Sequence, residues 1–187
     1  MNSSQSAVST PLGNVTFAVV DVETTGLSCQ ADKIIEIAAV KMSAGQISDV
    51  FESLIYTDYI PFRATMVHGI DVFMVRDAPR LEAVKDKFAK FTEGCVLAGH
   101  NIRRFDMHFL RRDFGVPADA LCVDTISISK MLFPCERYHS LDVVAARLSL
   151  RNARHHRAAG DAFVTAQILC EFLNMGKDKF KRLKDVL

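Results

Sequence analysis

Residues 17–27, Phe-Ala-Val-Val-Asp-Val-Glu-Thr-Thr-Gly-Leu, constrain this chain more than any other stretch. The unbroken apolar run from Phe17 to Val20 predicts a strand buried on both faces. Two carboxylates, Asp21 and Glu23, follow where that strand should end. Side chains two apart on a strand share a face, so Asp21 and Glu23 project together with Phe17 and Val19 behind them. Like charges at the edge of a core repel one another and lose solvation unless a cation compensates. A divalent metal is the usual compensator, and all-oxygen ligands favour Mg or Mn. In isolation the same pair reads first as a solvated strand end. The rest of the chain overturns that reading.

With 187 residues, 49% hydrophobic and 24% charged, the chain suits one compact soluble domain. Lys plus Arg number 23 against 22 Asp plus Glu, a net charge of +1. Nucleic-acid contact must therefore come from local basic patches or bound metal, not from a global positive field. The five cysteines form no C-x-x-C pair, which argues against a disulfide framework or zinc knuckle and for a reducing compartment. Residues 1–14 are polar and Ser-rich, with neither the basic nor the apolar part of a signal peptide, and are expected to be disordered. No apolar run suits a membrane helix. The expected location is the cytoplasm.

Strands are predicted at 15–21, 34–43 and about 47–56, joined by turns too short for a crossover helix and so antiparallel. One helical turn is expected at 64–68, and Pro79 opens a helix running to about Phe91. A short strand covers 95–99. A helix over about 101–113 would place Asp106 inside its apolar stripe of Ile102, Phe105, Phe109 and Leu110, where a charge needs a partner. A strand at 121–124, a helix to about 133 and another over 140–148 follow, the last with Ser140 as its N-cap. The final long helix is expected from Asp161 to about Leu173, stopped by Gly176. Residues 177–187 form a basic tail, expected to pack as a terminal helix of the same domain. The pattern is α/β, a mixed sheet covered by helices.

Asp21, Glu23, Asp106 and Asp161 occur in that order, with His156 five residues before the last. Here the sequence resembles the DEDDh, DnaQ-like 3′→5′ exonucleases, the group that includes the epsilon proofreading subunit of bacterial DNA polymerase III. Val20-Asp21-Val22-Glu23-Thr24-Thr25-Gly26-Leu27 is similar to the first motif of that family. His100-Asn101 with Phe105-Asp106 and Phe109-Leu110 resembles the second, and His156-Arg157-Ala158-Ala159-Gly160-Asp161-Ala162 the third. The likeness runs from about 15 to 173. One more residue separates His100-Asn101 from Phe105-Asp106 than in epsilon-type members.

The resemblance implies a ribonuclease H-like mixed five-stranded sheet flanked by helices, with an exonuclease domain over 15–176. It implies two Mg or Mn ions, with Asp21 bridging both, Glu23 and Asp161 completing the first site and Asp106 serving the second. Hydrolysis of a phosphodiester needs an activated water, neutralised transition-state charge and a stabilised leaving oxygen, and two ions supply these. His156 would take the proton from the attacking water, a task suited to an imidazole. A flexible Gly160 is expected to let His156 and Asp161 reach one site. By the same resemblance Thr24, Thr25, Leu27, His68 and Phe105 would seat the terminal nucleotide. Arg103, Arg104, Arg151, Arg154 and Arg157 are candidates for phosphate contact, though scattered arginines are more often simply solvated.

The expected activity is removal of 5′-mononucleotides from the 3′ end of single-stranded DNA, in proofreading or repair. The alternatives are an exoribonuclease trimming RNA 3′ ends, since the same chemistry serves both, and an inactive module that binds a polymerase or nucleic acid. The first motif is worded more like proofreading subunits than oligoribonucleases, which favours DNA. An inactive module should have lost a carboxylate, and none is lost. The implied partners are a DNA or RNA 3′ end and, for a proofreading subunit, a DNA polymerase. The absence of a long tail after the domain points instead to a stand-alone nuclease.

Overall fold

The structure, a computed structural model, describes residues 8–151 and 156–187. Strands β1 (Thr16–Thr24), β2 (Ile34–Ser43), β3 (Gln46–Leu54), β4 (Val96–Gly99) and β5 (Cys122–Asp124) form one mixed sheet in the order β3-β2-β1-β4-β5. The first three pair antiparallel as expected, and β1, β4 and β5 run parallel. Helices α1 (Phe62–His68), α2 (Val72–Val75), α3 (Leu81–Thr92), α4 (Asp106–Phe114), α5 (Thr125–Leu132), α6 (Leu141–Arg147) and α7 (Ala158–Met175) complete the described elements. No described helix is long and apolar enough to cross a membrane.

β1 lies at the centre, which is why Phe17 to Val20 are all buried. Its alternation divides the core. Phe17 and Val19 face a layer of α5, α6 and α7, represented by Ile128, Val144 and Phe172. Ala18, Val20 and Val22 face α3 and α4, represented by Phe88, Phe109 and Leu110. Asp21 and Glu23 continue the Phe17–Val19 parity and therefore emerge on the α7 side. Gly99 ends β4 close against β1, where a Cβ would lie 2.8 Å from the Val20 carbonyl oxygen and 2.9 Å from Ile102 Cβ. Only a residue without a side chain fits that approach.

Several boundaries differ from the sequence expectation. Residues 101–105 form turns, and the helix starts at Asp106. The buried Asp124 carboxylate accepts the N–H groups of Asn101 (3.1 Å) and Arg103 (3.4 Å), and Asn101 is left-handed with φ 62°. Side-chain capture of the backbone thus competes with helix there, and Asp106 occupies the first helical turn, not the middle of a stripe. The last helix starts at Ala158, so Gly160 lies within it and is not a flexible approach. The short helix α2 has no counterpart in the sequence expectation; Asp71 caps it by accepting the Met74 N–H.

Both ends of the described chain also depart from expectation. Residues 8–14 pack on the domain, with a 3₁₀ turn at Leu12–Asn14 and the Leu12 N–H bonded to the Lys181 carbonyl. Residues 177–187 form no terminal α-helix. The chain folds back at Gly176, where Phe180 N–H bonds to its carbonyl, and ends in a 3₁₀ turn at Leu183–Asp185. Phe180, Leu183 and Val186 enter the α7-side core, and Pro11 bridges to Arg182. Burial of three apolar side chains outweighs what a short basic helix would gain locally.

Candidate active site

The end of β1 and the first turn of α7 converge. Oxygens of Asp21, Glu23 and Asp161 all lie within 4.8 Å of one another. Asp106, only 3% exposed at the start of α4, is the strongest of the neighbouring charges acting on Asp21. Glu23 and Asp161 act on it next, in that order.

The electrostatics of this cluster are unfavourable for four free carboxylates. Burial holds the Asp21 carboxyl well above the usual range, reinforced by Asp106, Glu23, Asp161 and Glu36. Burial, then Asp161, Glu36 and Asp106, pushes Glu23 up to about 8, with Arg157 opposing. Burial raises Asp106 to about 7, while backbone N–H groups, including that of Val22, hold it down. Hard oxygen donors that repel one another so strongly fit a divalent cation, which converts the repulsion into ligation. Arg157, the cation whose charge reaches Glu23, gives its guanidinium to Glu36 instead.

His156 lies one residue before Arg157, the N-cap of α7, on an exposed, left-handed backbone with φ 56°. Arg154 and His155 lie outside the described residues. His68 senses the charges of Glu36, Arg157 and His156, which puts the His156 segment near the His68 wall of the adjoining cavity.

That cavity, of about 570 Å³, opens between the loop after β1 and α1. All five residues expected to seat a nucleotide, Thr24, Thr25, Leu27, His68 and Phe105, line it. Leu27 is 87% exposed at the rim, and Phe105 is half-buried with its ring 5.2 Å from that of Phe109. The two threonines also have internal tasks. Thr24 Oγ1 donates to the Gly26 carbonyl at 2.6 Å. Thr25 Oγ1 donates to Asp32 at 3.1 Å and accepts the Lys33 N–H at 3.0 Å. Asp32 also packs where a Cβ on Gly26 would fall, so the loop has one tight shape. His68 is buried; its Nδ1 accepts the Ile70 N–H at 3.0 Å. Its Nε2 lies by the Thr24 carbonyl but outside hydrogen-bonding geometry, and burial lowers its pKa.

Two contributors, Glu36 and Asp124, have no role in the sequence expectation. Glu36 accepts both Arg157 and the Ala158 N–H, so Arg157 faces a carboxylate and not a phosphate. Its signal was available: one charge in the apolar run Ile34-Ile35-Glu36-Ile37. Asp124 shapes the turn leading to Asp106 and caps α5 through the Ile126 N–H. His100 bridges β4 to Thr125 Oγ1 (2.8 Å) and the His139 carbonyl (2.9 Å). Arg103 bonds the Cys122 carbonyl, a structural contact.

A mixed five-stranded sheet with this carboxylate cluster at its centre defines a ribonuclease H-like nuclease of the DnaQ-like exonuclease class. The family model described as exonuclease (RNase T) matches residues 18–169, and the chain belongs to that family. It is similar to the PolC-type DNA polymerase III of Thermotoga maritima, at 37% identity over 187 residues, covering 94% of this chain and 14% of that protein. It is also similar to a DNA polymerase III subunit epsilon-like protein of Rhodobacter capsulatus, 39% identical over 173 residues, covering 88% of this chain and 24% of that protein. The chain therefore spans no more than a quarter of the length of these two relatives. Among solved structures, Exonuclease X in complex with 5′-overhanging duplex DNA superposes with a TM-score of 0.72 at 26% identity, covering 91% of this chain and 98% of that one.

Proposed function

We propose that this chain is a divalent-metal-dependent 3′→5′ exonuclease that removes 5′-mononucleotides from single-stranded DNA ends. The observation that carries this is the meeting of Asp21, Glu23 and Asp161 within 4.8 Å, with the charge of Asp106 acting on Asp21 and a nucleotide-sized cavity alongside. Asp21, Glu23 and Asp161 would hold one ion, and Asp21 with Asp106 a second, with Mg or Mn favoured by the all-oxygen set. Such ions, when bound, neutralise charge on the phosphoryl group and activate the attacking water. The chain's own residues do the rest. Leu27 and Phe105 flank the terminal base, the braced 24–33 loop fixes their separation, and His156 accepts the proton of the attacking water. DNA is preferred because the relative of matching length, Exonuclease X, was solved with DNA. The likeness to polymerase III proteins supports a polymerase as partner.

The test uses 5′-labelled DNA and RNA oligomers, single- and double-stranded, with Mg, Mn or chelator. A ladder of shortened single-stranded DNA is expected with either ion and none with chelator, and a blocked 3′-hydroxyl should stop it. Undiminished turnover in excess chelator, or cutting of a circular single strand, would overturn the proposal. Faster digestion of RNA would transfer it to the exoribonuclease reading.

A further inference from the structure

Glu36 is a carboxylate beside the site to which the proposed reaction gives no task. It lies on β2 with 4% exposure, directly opposite Glu23 in the β1–β2 ladder. A buried carboxylate is costly unless it is both paired and hydrogen-bonded, and Glu36 is both. Arg157 Nε lies 3.1 Å from each of its oxygens, and Nη2 lies 2.5 Å from Oε1. The Ala158 N–H reaches Oε2 at 2.9 Å. With its oxygens so engaged, Glu36 is not placed as a further metal ligand.

These bonds tie β2 to the start of α7, beside the apolar packing of that helix on the sheet. The ladder fixes Glu36 relative to Glu23 and Asp21. On the other side, Arg157 is the N-cap of α7, and its carbonyl accepts the Asp161 N–H at 3.0 Å. One residue earlier stands His156, outside the helix and on a left-handed backbone, which is uncommon for a non-glycine residue. The fork geometry of an arginine–carboxylate pair constrains direction as well as distance.

We infer that Glu36 and Arg157 form a positioning clamp that holds His156 in register with Asp21 and Glu23. The inference rests on His156 acting as proton acceptor. A misplacement of about 1 Å costs on the order of 100-fold in rate, so the clamp acts on the chemical step more than on substrate affinity. Its mode is indirect: neither side chain needs to touch the substrate.

The experiment is a double-mutant cycle read by single-turnover rates at saturating Mg, with KM for a DNA oligomer measured alongside. Glu36→Gln is expected to slow the chemical step about 10- to 100-fold, with KM little changed. Combined with His156→Ala it should be no slower than His156→Ala alone, because both changes remove the same contribution. In metal-free protein the His156 imidazole NMR signal should be single and sharp in the wild type and broadened or displaced in Glu36→Gln. Arg157→Lys keeps the charge but loses the fork, and carries the same cycle if Glu36→Gln does not fold. Multiplicative losses in the double variants, or a full rate in the single ones with only a lowered melting temperature, would overturn the clamp. A full-rate His156→Ala would instead overturn the proton-acceptor role, so the two failures are separable.

Discussion

Replacing Glu23 by Gln should stabilise the metal-free protein at alkaline pH. In the folded state the Glu23 carboxyl is raised from 4.5 to about 8, by burial first and then by Asp161, Glu36 and Asp106. Between those values the folded state binds more protons than the unfolded state. Stability therefore falls as pH rises through that window and levels off above it. At about 1.4 kcal/mol per pH unit, the full window corresponds to roughly 5 kcal/mol. Glu23 is only partly buried, and solvent screening reduces this to about 2–3 kcal/mol. For a chain of this size that is a rise of roughly 5–10 °C in melting temperature at pH 8.5. At pH 5 the gain should nearly vanish, because most of the carboxyl is then protonated in the wild-type fold. The assay is thermal unfolding in chelator at both pH values, repeated with saturating Mg or Mn. With metal the order should reverse, since the variant loses a ligand and with it part of the binding free energy linked to folding. A wild-type stability that is flat from pH 5 to 8.5 in chelator, or a variant less stable than wild type at pH 8.5, would refute the electrostatic reasoning.

Asp21→Ala should abolish hydrolysis, by at least the loss seen for any other single carboxylate, while the far-UV circular dichroism stays that of a folded protein; retained turnover would remove Asp21 from the centre. His156→Ala should lose about 10²–10⁴-fold in rate, and the acid limb of its pH–rate profile should disappear because a protonated imidazole accepts no proton. His155→Ala is the control and should stay near wild type; the assignment fails if that variant is the crippled one. Leu27→Ala, at the cavity rim, should raise KM several-fold with little change in melting temperature, since Leu27 is 87% exposed; an unchanged KM would take the rim out of substrate contact.

The sequence by itself determined the core strand and the positions of the acids along the chain. Phe17 to Val20 are apolar without interruption, and that run becomes the central strand, because only the middle of a covered sheet buries both faces. The period of two put Asp21 and Glu23 on one face, a local rule that needs no partner to operate. Motif spacing brought Asp106, His156 and Asp161 into view through family resemblance, not through local periodicity. What the tertiary structure decided is where non-local hydrogen bonds override local preference. Asp124, 23 residues away from Asn101, captures the backbone of 101–105, so the helix starts at Asp106 and not at 101. Glu36, 122 residues away from Ala158, accepts its N–H, so the last helix starts three residues early and encloses Gly160. The terminal segment gives up a short helix because Phe180 and Leu183 have a core to enter, formed by α7 and β1. Each of these depends on which side chain arrives from a distant strand, and neither propensity nor period carries that information.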